Sequence, residues 1–181
     1  MAGVLAILMA VLLLASPGFA RTQRGRGAPP PSGSPQVPAG RPTAPPPATV
    51  GPTLAEANRA LAAAVAYLDK LGVNESCVVV DSRGEMVALH RMDRARFYLN
   101  DIARGKALAS AMFGLPGSKM GPIANAPWFQ NLNATVAARV GPGQGGLPIF
   151  RNDEIYGAIG CSGGTGQQDE DAAQAGLDTF H

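Results

Sequence analysis

The stretch from Gly145 to Leu177, GGLPIFRNDEIYGAIGCSGGTGQQDEDAAQAGL, reads as strand, tight turn, strand, glycine loop and helix. Leu147 to Phe150 is a short apolar run, and Asn152 with Asp153 brings turn chemistry. Ile155 to Cys161 is a second run, in which Gly157 and Gly160 mark the close approach of a neighbour. Two adjacent antiparallel strands follow. Thr165 and Gln168 then fit a capping box, and Asp169, Glu170 and Asp171 load a first turn where the helix dipole favours negative charge. A helix begins there.

Upstream, Thr53 and Glu56 form a second capping box and Gly72 supplies a helix stop. Leu54, Leu61, Val65, Leu68 and Leu71 recur at helical spacing between them, so this helix covers a sheet. Cys77 to Val80 reads as a buried strand, Asp81 to Gly84 as a turn and Glu85 to Met92 as a second strand, a hairpin. Asn100 can cap a helix that runs to Phe113 and stops at Gly114 and Pro116. Leu99, Ile102, Lys106, Ala109 and Phe113 share one face of it, which sets a lysine in an apolar stripe. Pro127 opens a short helix bearing Trp128, Leu132 and Val136, and Gly141 to Gly146 is a loop. The order is helix, two strands, helices, two or three strands, helix. It points to an α+β domain, an antiparallel sheet with helices on its faces.

The remainder of the 181-residue chain is of a different kind. Val4 to Ala15 is apolar, Ser16-Pro17-Gly18 breaks it, and Gly18-Phe19-Ala20 is a small-x-small site. Residues 1–20 therefore read as a secretory signal cleaved after Ala20, although the segment before the apolar run has no Lys or Arg, and an uncleaved anchor is the alternative. Residues 21–52 are rich in Pro, Gly, Ala and Arg, with almost nothing to bury, and read as a disordered tether in polyproline II. Residues 53–181 form the folded domain. Arg21, Arg24, Arg26 and Arg41 all precede it, so the net charge of +2 becomes −2 for the domain. That balance excludes nucleic acid as a partner, and 6% aromatic content adds no stacking platform.

The blocks TLAEANRALAAAVAYLDKLG, VVVDSRGEMVALHRMD, DIARGKALASAMFG and the GGLPI, GAIGCSGG and QQDEDAAQAGL segments, in that order, resemble the GlcG/HbpS-like family of small bacterial proteins. The resemblance covers Pro52 to Phe180 and implies a profilin-like three-layer α/β/α domain with a central antiparallel sheet. In that topology the first and last strands lie side by side, with the start of one meeting the end of the other, so Cys77 and Cys161 become neighbours. It also implies a homo-oligomer and haem or a related tetrapyrrole as ligand, in a fold shared with the C-terminal domain of PduO-type adenosyltransferases. The chain reads KALASA where the family typically has KA-x-TA, so Ala109 stands where a threonine is common.

Cys77 and Cys161, the chain's two cysteines, either form a disulfide, as an exported chain allows, or pack as buried thiols. Along the second strand Met86, Ala88, His90 and Met92 share one face. His90 and Met92 are of the types that ligate haem iron, and His90 is the residue here that would bind the metal. Two residues apart on one face, they cannot bracket one iron from opposite sides. Lys106 must snorkel, pair with Asp81 or Asp101, or meet an anionic ligand such as a propionate. GPGQGG leads into a strand, and GCSGGTG lacks both the dinucleotide spacing and the P-loop lysine, so neither is a phosphate cradle.

No catalytic triad, zinc motif or spaced carboxylate pair is present in the sequence. The expectation is an exported haem-binding protein, periplasmic or secreted from a bacterium, for storage, sensing or scavenging. Two alternatives stand beside it. One is an enzyme for a small organic acid, linked to glycolate-type metabolism, with Lys106 as anion clamp or base. The other is an oligomeric sensory protein that contacts a membrane receptor.

Overall fold

The structure, a computed structural model, describes residues 50–135 and 139–180. The signal peptide and nearly all of the tether expected over 1–52 lie outside them, as do Val136 and His181. The described residues from Val50 onward belong to one compact unit.

Helix α1 spans Leu54–Leu71 between the two caps expected for it. Thr53 Oγ accepts from the Glu56 amide, Glu56 returns a carboxylate to the Thr53 amide, and Gly72 closes the helix at φ 66°. Its buried face differs from the leucine stripe. Leu54 and Leu71 are exposed, while Ala57, Ala60, Leu61, Ala64 and Leu68 are fully covered. The alanines recur at the same helical spacing and let α1 approach its neighbours closely, which a longer side chain would prevent.

Strands β1 (Ser76–Asp81) and β2 (Met86–Arg91) form the first hairpin, and β3 (Gly146–Arg151) and β4 (Glu154–Ser162) the second. Asn152 and Asp153 both take positive φ, 52° and 62°, as the tight two-residue turn between twisted strands requires. The sheet order is β2-β1-β4-β3 with every pair antiparallel, so the first and last strands are central, and of two or three late strands there are two.

Alternation along β1 sends Cys77 and Val79 to one face and Val78 and Val80 to the other. On the first face they pack with Leu147, Ile149, Ile159 and Cys161 under α1 and under α5 (Gly166–Leu177). On the second face they meet Ala103, Ala107 and Ala111 of α2 (Leu99–Phe113). The three-layer α/β/α arrangement is thus observed. Short helices α3 (Gly121–Ala124) and α4 (Pro127–Thr135) follow α2, and Trp128, Phe113 and Phe129 meet there edge to face.

One cap differs from expectation. Tyr98, not Asn100, precedes α2, and it makes no side-chain cap bond. Asn100 lies inside the first turn because its Oδ1 accepts from the Ser76 hydroxyl at 2.8 Å, tying the helix start to β1.

Candidate functional site

Among the described residues, two places gather chemistry-bearing side chains, one at an end of the sheet's central pair and one beside it on β2. The first is built where β1 begins and β4 ends. Their register sets Cys77 opposite Cys161, with Cα atoms 4.1 Å apart and the sulfurs bonded. Of the two readings the sequence left open, the structure holds the disulfide.

Beside it Glu75 is fully buried, and neither carboxyl oxygen meets a hydrogen-bond partner among the described residues. Burial, then the nearby charge of Asp169, push the Glu75 carboxyl up to about 8 against the opposing pull of Lys106. Glu75 is therefore a neutral acid at pH 7.

Asp169, on the first turn of α5, is 3% exposed. Its Oδ1 accepts from the amides of Gly163 and Gly164 at 3.1 and 2.9 Å, and its Oδ2 takes the Lys106 ammonium. Lys106 starts on α2, beyond the opposite face, and reaches past the end of the sheet to Asp169 and to the Cys161 carbonyl at 3.2 Å. Gly145 lines the passage. A Cβ on Gly145 would stand 3.0 Å from Lys106 Nζ and 2.6 Å from Asp169 Cβ. The partner of Lys106 is accordingly Asp169, not Asp81 or Asp101. Asp81 instead accepts from the Arg83 and Glu85 amides in its own hairpin turn, and Asp101 lies on the exposed side of α2.

The second place is the outer part of β2. His90 is the register partner of Cys77 and so projects toward α1, where its Nε2 lies 3.3 Å from Asn58 Oδ1. Met92 packs at the margin of the α1–α5 core, and its sulfur accepts from the Glu75 amide at 3.4 Å. Val65 of α1 with Leu89, His90, Arg91 and Met92 lines a hollow of about 430 Å³. An adjoining hollow shares Val65 and Met92 and adds Asp69, Asn74, Asp93 and Arg94. The pair makes a shallow trough in which Val65 and Met92 are shared, with the His90 imidazole, the Arg91 and Arg94 guanidinium groups and the Asp69 and Asp93 carboxylates around them.

The structure thus brings His90 and Met92 together and sets Lys106 apart from them, its ammonium held at the end of β4 by Asp169 and the Cys161 carbonyl. Sequence reasoning missed Glu75 and the pairing role of Asp169. The available signals were an acid immediately before a strand with the buried run Cys77–Val80, and a lysine in a helical stripe whose charge needed a partner.

A family model described as haem degrading protein HbpS-like matches residues 53–178. An uncharacterized 15.0 kDa protein from the dhaT-dhaS intergenic region of Citrobacter freundii is 31% identical over 129 residues, 71% of this chain and 91% of its own. Among solved structures, Klebsiella pneumoniae protein ORFY is 32% identical, with TM-score 0.65 over 71% of this chain and 90% of its own. A double mutant of Streptomyces reticuli HbpS is 29% identical, with TM-score 0.66 over 80% of this chain and 99% of its own. The PduOC:heme complex, at 23% identity and TM-score 0.64, shares the fold. With a match that spans the whole three-layer domain from the α1 cap to the end of α5, the chain belongs to the HbpS-like family.

Proposed function

We propose that this chain is an exported binding protein for haem or a related tetrapyrrole, which the β2–α1 trough would hold with His90 binding the metal. The observation that carries it is the position of His90, half-buried on the wall of an apolar hollow, with Asn58 at Nε2 its one side-chain partner among the described residues. The donor set fits the group. Val65 and Met92 offer apolar contact to a flat macrocycle, and Arg91 and Arg94 suit its carboxylates, with Asp69 and Asp93 opposing them in the adjoining hollow. When bound, haem would supply a redox-active iron. The protein's own part is to bury one face of the ring, present an imidazole and pair the acid groups.

Membership in a family described by haem degradation supports this reading, as does a haem complex in a protein of the same fold. Export draws support from the disulfide, which persists in oxidising compartments, and accords with the leader expected over 1–20. Storage, sensing or scavenging and assembly with further copies belong to the same proposal, and a sensory protein that contacts a membrane receptor stands as its alternative. The organic-acid reading asks Lys106 to hold a substrate carboxylate, and Asp169 already occupies its ammonium.

Titration of the purified chain with hemin tests the proposal. Saturable uptake with a Soret shift that His90→Ala diminishes is expected. Unsaturable uptake that is indifferent to His90 rules the trough out.

A further inference from the structure

We propose that Glu75 and the Cys77–Cys161 bond form a proton-coupled redox pair, opened by a dithiol, whose state is passed to the strand that carries His90 and Met92. A carboxyl oxygen of Glu75 and the two sulfurs all lie within 4.8 Å of one another, and all three residues are buried. Neither Glu75 oxygen finds a partner among the described residues. A bond that merely staples two strands has no use for such a group, because an unpartnered buried polar side chain is destabilising. A group that delivers a proton to a sulfur must lie beside it and be held neutral. Glu75 meets both conditions, with Asp169 of α5 and Lys106 of α2 the charged groups that face it.

The link to the trough is structural. Cys77 is the ladder partner of His90, and Glu75 engages Met92 twice, its carbonyl accepting from the Met92 amide at 3.0 Å and its amide donating to the Met92 sulfur. Opening the disulfide alters the packing under both trough residues.

The exchange proceeds from a local opening, since both sulfurs are covered. The ionised thiol of the reductant attacks one sulfur. A mixed disulfide forms, the Cys77–Cys161 bond breaks, and the leaving thiolate takes the Glu75 proton. The reductant's second thiol then attacks its own sulfur in the mixed disulfide. That step releases the other cysteine, which takes the second thiol's proton. The protein gains two electrons and two thiols, the reductant leaves as a cyclic disulfide, and the Glu75 carboxylate regains its proton from water.

The transmission to the trough rests on the tetrapyrrole reading, whereas the redox pair does not. Reduction of the chain by dithiothreitol, read by alkylation and mass shift between about pH 6 and about pH 10, tests the pair. In the native chain the rate is expected to rise with pH and flatten above about 8, where Glu75 loses its proton. In Glu75→Gln it is expected to be roughly a hundredfold lower at neutral pH and to keep rising until the reductant is ionised. Matching profiles overturn the pair. Glu75→Met provides the same comparison if the glutamine variant does not fold.

Hemin affinity of the native chain against a Cys77→Ser, Cys161→Ser chain tests the transmission, with a change of about fivefold or more expected. Equal affinity overturns it. No saturable uptake by either chain, with the Glu75 profile as expected, overturns the tetrapyrrole reading and the transmission while upholding the redox pair.

Discussion

Lys106 and Asp169, 63 residues apart in the chain, meet as an ion pair at the end of the sheet, with side chains 12% and 4% exposed. The pair joins α2 on one face to α5 on the other, and Asp169 also serves two amides of the β4–α5 loop. Breaking such a pair leaves a buried charge without its partner. Lys106→Met and Asp169→Ala should each lower the unfolding free energy by about 3–5 kcal/mol in urea titrations, with the aspartate variant the worse because two amides are orphaned as well.

Glu75 and Glu56 should give opposite pH dependences of stability. The Glu75 carboxyl is raised from its ordinary 4.5 to about 8, so the folded state holds a proton that the unfolded state has released. Its favourable contribution is complete below about 4.5 and is lost as pH rises to about 8. Glu75→Gln should therefore flatten the fall in stability between those values. The Glu56 carboxyl is drawn down to about 2, chiefly by Arg151 and then by the Thr53 amide. Its contribution is present above about 4.5 and lost as pH falls toward about 2, a loss that Glu56→Gln should abolish.

The disulfide closes a loop between residues 84 apart. Loop-closure entropy for that span amounts to about 4.5 kcal/mol. The Cys77→Ala, Cys161→Ala chain should lose about 2–5 kcal/mol of stability in urea titrations, and reduction of the native chain should lower its melting temperature in the same direction.

Gly160 on β4 is where α2 lies closest to the sheet. An added Cβ would stand 2.6 Å from the Ala107 amide nitrogen and meet the Ala103 carbonyl as well, both of them helix backbone. Gly160→Ala should cost about 1–3 kcal/mol or more in thermal unfolding, because α2 must move as a body. Gly121→Ala, which meets nothing within 4 Å, is the control.

What the sequence made legible was local. Both capping boxes, the Asn152-Asp153 turn and the four strands are set by residues a few positions apart, and each formed where its residues stand. The buried face of α1 was misread because alanine adds little to a leucine stripe, although Ala57, Ala60 and Ala64 allow the close packing. Asn100 looked like a cap until Ser76, 24 residues earlier, claimed its oxygen. Lys106 is recognisable as a charge in need of a partner, but Asp169 becomes that partner only through sheet topology and the space that Gly145 leaves. Glu75 showed only as an acid next to a strand, since its burial depends on the loop after β4 folding back over the start of β1.

The central claim is that a flat anionic macrocycle lies in the β2–α1 trough. Amide chemical-shift mapping of the labelled chain with a diamagnetic porphyrin, zinc protoporphyrin, tests it most directly. Perturbations clustered at Val65 and from Leu89 to Arg94 are the expected result. Perturbations centred on α2 around Lys106, or scattered without a focus, would contradict it.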